Sequence, residues 1–306
     1  MRDAFASELF KLAKSNKDVI FITADLGFGV FDEFAKKMPK QYINVGVAEQ
    51  NMIGLATGLG LEGKKVFVYS IGNFVSFRCL EQIRNDAAYH EIDLTIVCSG
   101  GGFNYGPLGM SHHTTEDIAI MRAIPNITVV VPSTAWEAKH ATKKLGKLKG
   151  ISYLRIEKGG ENKPPFKNTK FKIGKHIVHR HGKDVCIITA GSIINECINA
   201  ANELKKMDVS CKIISMPTIK PIDEKIIIET ARKFKNIITV EEHNRIGGLG
   251  GAVAEVLVKS KSDTNFESIA IKDTFSSIVG DQKYLRKEYK IDSKSIIKIV
   301  KKIIHS

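Results

Sequence analysis

The sequence predicts an α/β protein built as two tandem three-layer α/β domains, each a mostly parallel sheet between helices. Three observations carry this. Short apolar runs rich in β-branched residues alternate with helix-length segments along the 306 residues. The alternation breaks in a polar, turn-rich stretch between Glu157 and Lys175 and then resumes. Length allows two cores, and a composition of 43% hydrophobic and 26% charged residues is that of a globular protein.

In the first half, strands are expected at 19–23, 66–69, 94–97 and 127–131. Each is a short run rich in β-branched and apolar residues, and helix-length segments separate them, the pattern of a parallel sheet with crossover helices. Pro132 ends the fourth run. Thr134 and Glu137 then stand at capping-box spacing for a helix through Lys147, and Thr114 and Asp117 offer the same device for a helix over 118–124. Gly159-Gly160-Glu161-Asn162-Lys163-Pro164-Pro165 punctuates the chain, so the expected division is a domain over 1–160, a linker over 161–175 and a domain over 176–306. Second-half strands are expected at 185–189, 211–215, 237–240 and 269–271. Glu241-Glu242-His243-Asn244 then leads into Gly247-Gly248-Leu249-Gly250-Gly251 and a helical pattern. Such a turn could cradle a phosphate on helix N–H groups, but the glycine spacing is wrong for dinucleotides and two acids adjoin it; tight turning is the simpler reading.

A formal charge of +13 invites a nucleic-acid partner. The lysines, however, are scattered in pairs such as Lys36-Lys37, Lys64-Lys65 and Lys143-Lys144, without a basic–aromatic RNA signature or zinc-finger spacing. The charge supports no more than a modest attraction for anionic substrates or an acidic partner. No apolar run reaches the roughly 18 residues of a membrane span, and Met1-Arg2-Asp3-Ala4 opens no signal peptide, so the expected location is cytoplasmic. The five cysteines form no C-x-x-C pair and lie among apolar neighbours, which points to buried free thiols and no metal site.

Three features carry chemistry. Asn44-Val45-Gly46-Val47-Ala48-Glu49-Gln50-Asn51-Met52 sets one carboxylate at the mouth of a small-residue, apolar helix. Desolvation there would favour a proton on Glu49, as in a catalytic acid; the plainer alternative is an acid complementing a helix dipole. Gly54 and Gly58 give that helix a smooth face. Second, Gly72-Asn73-Phe74-Val75-Ser76-Phe77-Arg78 follows a strand and offers two aromatics that could stack on a flat heterocycle or simply pack. Third, Tyr105-Gly106-Pro107-Leu108-Gly109-Met110-Ser111-His112-His113 places adjacent histidines in a loop, suited to proton transfer or oxyanion binding.

Taken together with Ile124-Pro125-Asn126-Ile127 and Thr23-Ala24-Asp25-Leu26, these segments resemble the pyrimidine-binding domain of the transketolase family of thiamine diphosphate enzymes, and 241–251 is similar to the family's C-terminal domain. The resemblance covers essentially the whole chain. It implies that Glu49 bonds the N1′ atom of the cofactor's aminopyrimidine and that Phe74 stacks on that ring, with Phe77 flanking it and Asp25 in the acidic turn beside it. It implies that His112 touches the sugar near its reacting carbons. Cofactor and Mg²⁺ would be held mainly elsewhere, because the family's Gly-Asp-Gly…Asn motif is absent and the dipeptide Asp-Gly occurs nowhere in the chain. The chain therefore resembles the C-terminal subunit of a split transketolase, implying an N-terminal partner, an α2β2 assembly and a magnesium-dependent ketol transfer.

The substrate side departs from the family pattern. Leu108 replaces an aspartate that reads the donor hydroxyl, Gly29 and Gly100 replace a serine and a histidine, and Lys158 replaces an arginine. Arg2 matches the remaining phosphate-binding residue. A point-charge lysine lacks the arginine fork, so a modified or nucleotide-linked sugar is expected, unless Arg78 and His113 take over phosphate binding. The rival readings are the beta subunit of a 2-oxo acid dehydrogenase and a non-catalytic regulatory subunit; deoxyxylulose-phosphate synthase chemistry fits less well, because that family keeps its halves fused.

Overall fold

The computed structural model describes residues 1–157 and 162–304. Twelve strands among them form two sheets: β1 (Val19–Thr23), β2 (Tyr42–Asn44), β3 (Lys65–Ile71), β4 (Leu94–Ser99), β5 (Thr128–Val130), β6 (Ser152–Ile156), β7 (Ile177–Arg180), β8 (Val185–Thr189), β9 (Cys211–Ser215), β10 (Thr218–Lys220), β11 (Asn236–Asn244) and β12 (Asn265–Ile271). The first sheet runs β10-β5-β6-β4-β3-β1-β2 and the second β12-β11-β8-β9-β7. Pairing is parallel except at β10 against β5 and β7 against β9. The predicted α/β class holds.

Every residue of β1, β3, β4, β6 and β8 is buried, the physical reason β1, β4 and β8 carry only apolar residues and an occasional Thr or Ser, with no polar–apolar alternation. One apolar core runs continuously from Ile22, Val68 and Ile96 of the first sheet through Met121 and Ile124 to Ile188, Ile214 and Val253 around the second. Strand β10, from the second half of the chain, completes the first sheet. All five cysteines are buried free thiols.

Capping differs from expectation at one of the two helices. Thr134 does accept the Glu137 N–H, and the Glu137 carboxylate reaches back to the Ser133 N–H; that helix closes at Leu145 rather than Lys147. The helix Asp117–Ala123 instead has Glu116 at its start and no side-chain cap. Asp117 is withdrawn from capping because its carboxylate accepts from Arg155 Nε at 3.0 Å and from the Tyr153 hydroxyl at 2.7 Å.

The two sheets meet at buried charges. Arg155, 1% exposed, bonds Asp117, Glu157 and the carbonyls of Thr114 and Glu242. Glu242 in turn accepts from the Phe103 N–H and Gln282 and pairs with Arg286.

Candidate active site

In the first sheet the chain passes from β1 outward to β2, then returns across β1 to β3, so strand order reverses between β1 and β3. Open parallel sheets place ligands beyond the carboxyl ends of strands at such a reversal. The three chemistry-bearing segments converge there. The turn after β1 holds Asp25, the helix Glu49–Leu61 starts after β2, and the loops after β3 and β4 hold Phe74 and His112.

Asp25 is exposed and has φ +54°, a left-handed conformation held locally: the Asn44 carboxamide accepts the Asp25 N–H at 2.9 Å and donates to its Oδ1 at 3.2 Å. After β3 the chain turns directly into the short helix Gly72–Ser76, and this turn requires glycine. A Cβ on Gly72 would lie 2.5 Å from Cys98 Sγ and 2.6 Å from Thr114 Oγ1. That close approach sets Phe74 just beyond the carboxyl end of β3, a central strand of the sheet.

Glu49 is 2% exposed but not surrounded by apolar groups alone. Its Oε1 accepts from Ser70 Oγ at 3.0 Å and its Oε2 from Arg78 Nη1 at 2.6 Å. The guanidinium of Arg78 also lies 4.4 Å over the Phe74 ring centre. On past Phe74 comes His112, in edge-to-face contact at 5.1 Å, and then Tyr105 at 6.4 Å from His112. Asn73 donates to the Ser111 carbonyl, fixing the histidine loop to the aromatic turn, and His112 Nδ1 is 3.0 Å from Ser111 Oγ. Glu49, Arg78, Phe74, His112 and Tyr105 thus form one contiguous row.

A cavity of about 180 Å³ follows Tyr105, lined among others by Arg2, Ser99, Gly100, Asn104 and Glu157. Arg2 is half exposed there. The remaining expected residues are placed differently. Phe77 lines a separate apolar cleft with Asn73, Met110 and Phe275. His113 is 3% exposed, bonds the Gly106 carbonyl at 3.1 Å and packs on Phe103; burial lowers its pKa. Arg78 is committed to Glu49, so neither it nor His113 is set out for phosphate. Lys158 lies outside the described residues. Leu108 is 56% exposed, with Met110 beside it, an apolar rim where a carboxylate was the family pattern.

The donor set fits the aminopyrimidine end of thiamine diphosphate: a buried carboxylate, backed by a hydroxyl, next to an aromatic face. Among the described residues no group of three His, Cys, Asp or Glu side chains is placed to hold a metal ion. The glycine-rich turn of the second domain is no phosphate cradle either. Glu241 accepts the N–H groups of Leu249 and Gly250 at 2.6 and 2.8 Å, filling the helix N-terminus with the chain's own carboxylate. A Cβ on Gly248 would sit 2.1 Å from Glu241 Oε2, which is why glycine stands there.

The chain belongs to the transketolase family, whose members work with thiamine diphosphate: residues 1–160 match the transketolase pyrimidine-binding domain and residues 174–296 the transketolase C-terminal domain. Among its relatives, a Methanocaldococcus jannaschii protein provisionally named a transketolase C-terminal section is 40% identical over 303 residues, covering 97% of this chain and 94% of that one. One of the named subunits of the apulose-4-phosphate transketolase of Phocaeicola vulgatus is 34% identical, over 97% of this chain and 95% of that one. A solved structure described as a split-gene transketolase, inactive beta4 tetramer, superposes with a TM-score of 0.88 at 31% identity, covering 99% of this chain and 97% of that chain.

Proposed function

We propose that this chain is the C-terminal subunit of a two-chain transketolase that moves a two-carbon ketol unit from a ketose donor to an aldehyde or ketone acceptor. The observation that carries the reading is the buried Glu49 carboxylate beside the Phe74 face at the reversal point of the first sheet. When bound, thiamine diphosphate supplies the nucleophilic carbon that carries the two-carbon unit.

In this reading Glu49 would hydrogen-bond N1′ of the aminopyrimidine, with Ser70 fixing the carboxyl's orientation. Phe74 would stack on the ring, Phe77 would flank the site from the neighbouring cleft, and the Asp25 turn would close its β1 side. His112, next along the row, donates to or accepts from the oxygen on the reacting sugar carbon. Arg2 and Lys158 supply positive charge for the far end of the substrate. Low dielectric around Glu49 strengthens its hydrogen bond, since the carboxyl is shielded from water.

In this reading an N-terminal subunit with the Gly-Asp-Gly…Asn motif would hold the diphosphate and Mg²⁺, in a cytoplasmic α2β2 assembly. Support comes from relatives that are themselves named as sections or subunits. The exposed Leu108 supports a modified sugar substrate, as does a relative named for apulose-4-phosphate. The alternative 2-oxo acid dehydrogenase and regulatory readings are not favoured by these relatives. Glu49→Gln, assayed for ketol transfer with the N-terminal subunit, thiamine diphosphate and Mg²⁺, should lower kcat by at least ~100-fold. An unchanged rate would instead support a non-catalytic role.

A further inference from the structure

Arg78 does two things that an aminopyrimidine would have to do. Its Nη1 donates to Glu49 Oε2 at 2.6 Å, and its flat guanidinium lies 4.4 Å over Phe74. Guanidinium and aminopyrimidine are both planar, both present N–H groups at an edge and both stack on aromatic faces. The Phe74 face that the guanidinium covers cannot carry a second flat group at the same time, and the guanidinium stands between that face and the Glu49 carboxylate. We propose that Arg78 is a resident occupant of the aminopyrimidine seat, and that it swings out to solvent when the cofactor ring enters.

The geometry permits that movement. The Arg78 side chain is 43% exposed, while that of Glu49 is 1% exposed. The flexible cation can therefore leave, whereas the carboxylate stays at the start of the helix Glu49–Leu61 with Ser70 still bonded to Oε1. Pairing also explains how a carboxylate is tolerated in a buried place before the ring arrives: an unpartnered buried charge is costly. The latch reduces the fraction of chains ready to bind and weakens apparent affinity in proportion. The inference rests on Glu49 and Phe74 being the seat, and its test separates the two ideas.

The full chain is titrated with the free aminopyrimidine half of thiamine, followed by NMR with labelled arginine side chains. Arg78→Ala should bind on the order of tenfold tighter than the parent chain. Arg78→Lys keeps a cation near Glu49 but removes the planar stack, and should also bind more tightly, which guards against a folding defect in the alanine variant. In the parent chain, saturation should move the Arg78 guanidinium signal to that of a solvent-exposed arginine. Equal, weaker or undetectable binding by both variants, or a stationary Arg78 signal at saturation, overturns the proposal. If adding Glu49→Gln or Phe74→Ala to Arg78→Ala leaves binding unaffected, the seat itself is elsewhere and the functional reading fails first.

Discussion

Glu241 and His243 lie 3.9 Å apart and are both buried, and they titrate with opposite consequences for stability. Burial pushes Glu241 up from 4.5 to about 7 and His243 down from 6.5 to about 4. Geometry agrees for the histidine: Nδ1 faces the Asn244 carbonyl at 2.7 Å and Nε2 accepts the Ala119 N–H at 3.3 Å, the pattern of a neutral ring. For Glu241, the unfolded chain releases its proton first as pH rises from 4.5 to 7, so stability falls across that window. For His243, the unfolded chain binds a proton first as pH falls from 6.5 to 4, so stability falls in that direction. Each effect is worth ~3 kcal/mol at full extent, and in the shared window they offset one another. Glu241→Gln should therefore make urea stability drop more steeply than in the parent chain on acidification from pH 6.5 to 4. Parallel profiles would refute the opposed pair. At this scale sequence was a partial guide. Glu49, Phe74 and His112 stood out because an acid, an aromatic and a histidine sat in glycine-rich local patterns. The Arg78 contact did not, since its two partners are 29 and 4 residues away in sequence and only folding joins them.

Among the elements, the strands at 19–23, 185–189 and 211–215 were legible to the residue: the first two because burial throughout demands almost wholly apolar side chains, the third because only one charge, the half-buried Lys212, interrupts an otherwise buried run. Strand β6 escaped, since Arg155 in its interior looks incompatible with a buried strand until Asp117 and Glu157 are seen closing on it. Three-residue β2 and β10 are too short to show a period, and β10 takes its place from the opposite half of the chain. The same distance explains the failed cap: Thr114 and Asp117 have the right spacing, but Arg155 and Tyr153 claim the carboxylate. Arg155→Ala leaves Asp117 and Glu157 buried without their cation, and should cost ~3–5 kcal/mol. Urea unfolding would read this as a lower midpoint; a loss under ~1 kcal/mol would mean that the network is not what joins the sheets.

At the scale of the whole molecule, the shared core and the one strand, β10, that the second half lends to the first sheet make the two domains one scaffold, and the row from Glu49 to Tyr105 proposed as the site stands on the first. No helix among the described residues is long and apolar enough to cross a membrane. Gly54 and Gly58 meet nothing within 4 Å of where a Cβ would stand, their own helix backbone and chain neighbours aside, so that helix face is open. What sequence conveyed here was also what it lacked: the dipeptide Asp-Gly occurs nowhere in the chain, and the proposed reading therefore gives the diphosphate to a partner subunit. The most direct measurement of that claim is calorimetric titration of thiamine diphosphate with Mg²⁺ into this chain alone and into an equimolar mixture with the N-terminal subunit. The account predicts weak binding alone and at least ~100-fold tighter binding in the mixture. Equal, tight binding by the chain alone would contradict it.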